Sequence, residues 1–148
     1  MILSEEKMVM RGKVIGAVDI GKTSLGSRSN VSVDWTVSGR DLSASMKTTD
    51  YLLTRPDGIS VINSLGVITT KDNETIAVKI GGYGLVPVNG KMKLKGFITY
   101  ETASAKYESF NSRVDVFDGD FFSDTGDMTL NSYELKTWMP KEVPSIGV

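Results

Sequence analysis

Asp50-Tyr51-Leu52-Leu53-Thr54-Arg55-Pro56-Asp57-Gly58 reads as a strand running into a tight turn. Pro56 fixes φ near the value the second turn position needs, Asp57 suits the third, and Gly58 can leave with φ > 0. Successive strand side chains point to opposite faces. Tyr51, Leu53 and Arg55 therefore share one face, and Asp50, Leu52 and Thr54 the other. Strand-like residues lie on both sides of the turn, so the stretch predicts a hairpin.

The pattern repeats in both directions. Upstream, Leu42, Ala44 and Met46 alternate with Ser43, Ser45 and Lys47 after a turn at Ser38-Gly39-Arg40-Asp41. Before that turn, Val31, Val33, Trp35 and Val37 alternate with polar residues, the clearest period-two run in the chain. Gly21 to Ser29 reads as a loop, and Met8 to Val18 as a first strand with bends or bulges at Gly12 and Gly16. Downstream come Ile59 to Asn63, Gly66 to Thr70, a polar loop at Lys71-Asp72-Asn73-Glu74, and Ile76 to Ile80. Three glycines in Gly81-Gly82-Tyr83-Gly84 predict a sharp bend. Asn89-Gly90 predicts a type I′ hairpin turn between Leu85–Val88 and Lys91–Tyr100. Val114 to Phe117, a turn at Asp118-Gly119, a loop at Asp124-Thr125-Gly126-Asp127 and Met128 to Leu135 complete the strands. Thr102 to Asn111 is the one stretch with room for a short helical turn.

These elements predict an all-β fold over residues 1–136, a single antiparallel β-barrel of about 8–10 strands. Closure removes exposed edges, and glycines at 12, 16, 82 and 96 let a sheet coil, which favours a barrel over a sandwich. Such a bore is either filled by side chains or holds one small ligand. Residues 137–148 contain two prolines and no periodicity, and read as an extension lying on the surface or on a partner.

Composition narrows the chemistry. Among 148 residues there are 17 basic and 18 acidic side chains, a balance that points to neither a nucleic-acid surface nor an anionic-membrane patch. Cysteine is absent, which excludes disulfides and thiolate sites and fits a reducing cytoplasm. The N-terminus carries no signal-peptide pattern, and no apolar run approaches the roughly 18 residues of a membrane span. Histidine is absent too, removing the commonest neutral-pH acid–base group and metal ligand. No metal or cofactor is implied. Catalysis, if any, rests on carboxylates, Lys, Tyr or Arg with displaced pKa values.

Gly16-Ala17-Val18-Asp19-Ile20-Gly21-Lys22-Thr23 fits the spacing of a phosphate-binding loop, but no helix pattern follows to present its amides. The match is rejected. Lys91, Lys93 and Lys95 read as a solvated strand face, and the acidic run from Asp115 to Asp127 lacks calcium-loop spacing.

From about Gly26 to Leu135 the chain resembles the small β-barrel family catalogued as domain of unknown function 3237. The matching pieces are Asp50-Tyr51, Arg55-Pro56-Asp57-Gly58, Thr70 with Asp72, Gly84, Tyr100-Glu101-Thr102, and Tyr107 with Asn111. The family commonly has Trp at the position of Tyr51 and Asp-Gly at Asp72-Asn73. The resemblance implies a calycin-like barrel and a homo-oligomer, read as a dimer, with no transferable activity.

Asp50, Arg55, Glu101, Tyr107 and Asn111, with Tyr51 and Trp35 as walls, form the candidate constellation. In a structural reading Arg55 pairs with Asp57 or Glu101, Asp50 caps a strand end, and Tyr107 with Asn111 anchors the helical turn. In a functional reading they gather at a barrel mouth, where Arg55 grips an anionic group and Glu101 or Asp50 serves as a general base. Three functions fit, in this order: a barrel binding an anionic, partly apolar or aromatic metabolite; a cofactor-independent isomerase, cyclase or lyase; and a non-catalytic interaction module.

Overall fold

A computed structural model of the chain describes residues 2–136. They form one closed barrel of eight antiparallel strands in sequence order. The strands are β1 (Ile2–Thr23), β2 (Gly26–Ser38), β3 (Ser43–Thr54), β4 (Ser60–Thr70), β5 (Thr75–Gly84), β6 (Lys91–Glu101), β7 (Val114–Phe122) and β8 (Asp127–Lys136). A single 3₁₀ turn, Glu108–Ser112, interrupts the connection from β6 to β7. The all-β expectation holds, with the strand number at the low end of its range. The extension at 137–148 lies outside the described residues.

Five places differ from the sequence reading. Gly21 to Ser29 is not a loop: β1 and β2 continue through it and only Ser24-Leu25 turn, closed by the Thr23 hydroxyl donating to the Gly26 carbonyl at 3.0 Å. Polar, glycine-containing sequence here hides a ladder, because Asp19 Oδ1 accepts the Gly21 amide at 2.9 Å and carries the strand across a bulge. The segments on either side of Lys47–Asp50 form one strand, β3, and those on either side of Ser64-Leu65 form another, β4. Gly81 to Gly84 does not bend away but stays within β5. A Cβ on Gly82 would stand 2.1 Å from the Lys95 carbonyl oxygen, so the glycines let β6 approach closely. The same holds for Asp118-Gly119, which lies inside β7 with the Gly119 Cβ position 2.1 Å from the Thr129 oxygen. Asn89-Gly90 does turn as expected, with φ of 52° and 76°.

The register sets the bore. Hydrogen-bonded partners lead from Lys22 through Ser27, Thr54, Ser60, Gly84, Leu94, Gly119 and Leu130 back to β1 at Met10, 12 residues from the start (22 to 10). Stagger and strand number together fix tilt and width, and this stagger exceeds the 8 of eight-stranded β/α barrels. The result is a wide bore. Its middle is filled by Met10, Met46, Ile68, Ile76, Ile98 and Leu130, all essentially without solvent contact.

The two ends differ. Turns at Ser24-Leu25, Arg55–Ile59, Leu85–Gly90 and Ser123–Gly126 surround the upper end. The turns at Gly39–Leu42 and Lys71–Glu74, with the long connection from Thr102 to Arg113, close the lower one. On β1, Val14–Thr23 pairs with β2 alone, and Ile15, Val18 and Ile20 on it are more than half exposed.

Candidate functional site

The inward faces of the strands leave a cavity of about 80 Å³ in the upper half of the barrel. Val31, Val33 and Trp35 of β2, Leu52 of β3, Ile62 of β4 and Ile80 of β5 form one side; Met92 and Leu94 of β6, Phe117 and Phe121 of β7, Met128 and Leu130 of β8 and Val14 of β1 form the other. Only two lining residues, Asp50 and Ser64, are polar. Leu94, Phe117 and Leu130 are buried at its floor, while Val14, Leu52, Ile62, Met92 and Phe121 are only half-buried. The cavity therefore opens upward.

Alternation explains how a carboxyl comes to sit there. Asp50 pairs across the ladders with Val31 and Ser64, whose inward side chains it must join. Its Oδ1 accepts the Asn63 amide at 2.9 Å, a side-chain bond inserted between β3 and β4. Burial pushes the Asp50 carboxyl above its ordinary value, and the Asn63 amide and Ser64 hydroxyl pull it only part of the way back. Among the described residues no Lys or Arg lines the cavity to offset the charge. Trp35 Nε1 donates to Thr48 Oγ1 at 2.9 Å, so its one donor is satisfied below and its ring is left as an apolar wall.

At the lower end a second buried carboxyl is fully partnered. Asp115, without solvent contact, accepts Tyr100 Oη at 2.6 Å and Arg113 Nε at 2.8 Å. Arg113 also reaches Asp41 at 3.3 Å and lies 4.9 Å from the Phe110 ring centre, and Phe110 meets Tyr100 edge-on at 5.0 Å. Burial, then the Asp115 charge, raises the Tyr100 hydroxyl well above its ordinary value, so it stays a donor. This end is plugged.

The sequence-derived constellation is divided between these places. Asp50 and Trp35 line the cavity. Tyr51, the next residue along, points outward and is 39% exposed. Arg55 stands at the upper turn but faces outside the barrel: its Nε and Nη2 bond the two Asp57 oxygens at 3.1 and 2.5 Å, and its Cζ lies 5.7 Å over the Tyr83 ring. Glu101, Tyr107 and Asn111 are at the opposite end. Glu101 is exposed. Tyr107 Oη donates to Asp72 at 3.0 Å, and Asn111 bonds both backbone groups of Thr102, at 2.7 and 3.0 Å. Lys106, then the Thr70 hydroxyl and, more weakly, Tyr107 hold the Asp72 carboxyl far below its usual range. Several residues that carry the family resemblance, Thr70, Asp72, Thr102, Tyr107 and Asn111, thus lock the lower turns together.

Sequence reading missed Ser64 and most of the apolar lining. The usable signal was the face shared by Asp50 and Leu52, since an acid on the same face as core leucine marks either a rim or a lone charge in the bore.

An eight-stranded up-and-down barrel with an apolar chamber at one end is the class this geometry defines. No protein-family model and no curated protein matches the chain. Solved structures do. A β-barrel-like protein from Acinetobacter baumannii AYE superposes with a TM-score of 0.81 at 21% identity, over 91% of this chain and 96% of that one. A protein with unknown function from Clostridium acetobutylicum gives 0.77 at 20% identity, over 91% and 100%. A structure described as an enzyme from Penicillium herquei gives 0.66 at 11% identity, over 92% and 97%. At these identities the likeness is one of fold. No helix among the described residues is long and apolar enough to cross a membrane.

Proposed function

We propose that the protein binds a small apolar or aromatic molecule in the upper chamber of the barrel, with Asp50 and Ser64 as the polar contacts. One observation carries this reading: the bore contains a cavity lined by apolar side chains and open at the upper end, with a single carboxyl in its wall. A few placed polar groups in an apolar concavity are the usual make-up of a ligand site. The volume, about 80 Å³, is roughly half the ~150 Å³ of an engineered cavity that takes up benzene, so a short chain or the edge of one ring enters and the rest of a ligand stands in the open mouth. Arg55 faces away from the lumen, so the anionic group expected from the sequence has no counterpart inside. Membership of domain of unknown function 3237 is part of the same proposal; the closed barrel, which the resemblance implies, and the lower-end contacts among its matching residues support it.

A second reading is proton transfer. Its support is the raised Asp50 carboxyl, which holds or takes a proton more readily than a solvated one, in an apolar chamber. A fold neighbour described as an enzyme is compatible with it.

The test is thermal melting of the full chain with toluene and indole. A ligand at 100 times its dissociation constant adds about 2.7 kcal/mol, here a rise of roughly 5–10 °C. Replacing Ile80 or Leu94 by Trp, to fill the chamber, should abolish the rise. No rise with either probe contradicts the reading.

A further inference from the structure

We infer that the chamber selects apolar amines and rejects apolar carboxylates, with the ligand's ammonium group paired to Asp50 and its hydrocarbon body among the aromatic walls. The inference rests on the chamber being a binding site, and it adds what that site recognises.

The Asp50 carboxylate has about four acceptor positions. The Asn63 amide takes one and the Ser64 hydroxyl lies beside it, so acceptor capacity remains toward the lumen. Among the described residues no other lining group carries charge: Val31 and Ser64 flank Asp50 on the neighbouring strands, and Ile80, Leu94, Phe117 and Leu130 line the same chamber. An anion in a poorly solvated wall with no counter-charge is costly, and a cation that can also donate hydrogen bonds removes that cost. A second anion in the same chamber would add to it.

The walls point the same way. Trp35, Phe117 and Phe121 all line the chamber, and aromatic faces attract ammonium groups, Trp most strongly. Arg55, the cation that could have received a carboxylate, is turned outward and tied to Asp57. Shape, charge and aromatic lining therefore agree on a compact primary amine with a hydrocarbon ring or chain.

Calorimetric titration of the full chain at pH 7.5 with four ring compounds of matched size, namely toluene, benzyl alcohol, benzylamine and benzoate, separates the possibilities. The expected order is benzylamine at least about tenfold tighter than benzyl alcohol, with benzoate not binding. Asp50→Asn should bring benzylamine down to the level of the alcohol. The amine's advantage should shrink as the pH falls and Asp50 takes up its proton. If toluene binds but benzoate equals benzylamine, or Asp50→Asn leaves the amine's affinity intact, amine selection is wrong while the chamber stands as a site. If none of the four binds, both are wrong.

Discussion

Each end of the barrel contains an inward-facing aspartate, and the two are treated in opposite ways. Asp115 is sealed from water but has Tyr100 and Arg113 on its oxygens, and Arg113 is itself shared with Asp41. Asp50 has one backbone amide and one neighbouring hydroxyl, in a wall otherwise made of hydrocarbon. A buried charge with a full set of partners serves the fold, whereas one left short of partners beside a cavity is a cost the fold accepts for something else. The lower end is a plug and the upper end an open apolar chamber.

The largest expected effect breaks the plug. Asp115→Ala leaves the Arg113 cation, 10% exposed, and the Tyr100 hydroxyl without their main partner. Removing one member of a buried pair costs about 3–5 kcal/mol, here roughly 6–20 °C in melting temperature. Denaturant and thermal unfolding would measure it. A loss as small as that of a surface substitution would mean that the lower network is ornamental.

Asp50→Asn should act in the other direction. It removes an under-partnered charge while keeping an oxygen for the Asn63 amide, and a gain of about 1 kcal/mol is expected at pH 7. The sign follows from the raised carboxyl. The folded state holds this proton more tightly than the unfolded chain, so the contribution of Asp50 to stability falls as pH rises from 3.8 through the raised value. Melting curves of the two proteins should therefore converge toward pH 4 and separate toward pH 7. A variant less stable than the parent at neutral pH would place Asp50 with Asp115 as a structural group.

Arg55→Ala should do least. Its partner Asp57 is two residues away on an exposed turn, and pairs of that kind contribute little. A change of no more than about 2 °C and unaltered toluene affinity are expected. Loss of toluene binding in this variant would move the site from the lumen to the rim.

Period-two alternation made most of the strands legible, and the Asn89-Gly90 and Pro56-Asp57-Gly58 turns fixed two of the connections. At Gly81–Gly84 and Asp118-Gly119 the ladders run through the glycines that suggest breaks, because glycine both ends strands and lets neighbouring strands close in; only the register tells which. The candidate site was half legible. Asp50 and Trp35 could be picked out as unusual residues within strands. That Arg55 lies outside the bore while Glu101, Tyr107 and Asn111 sit at the far end depends on strand direction and on which face turns inward. Neither is set until the barrel closes and one face of Leu52-Leu53 is buried.

Methionine methyl groups give the most direct test of a receptacle at one end only. Met92 and Met128 line the chamber, whereas Met8 and Met46 are buried away from it. With ¹³C-methyl methionine in the full chain, titration with toluene should shift the Met92 and Met128 resonances in a saturable way and leave Met8 and Met46 in place. Resonances that stay still up to the solubility limit of toluene, or that all move together, would contradict a binding chamber at the upper end.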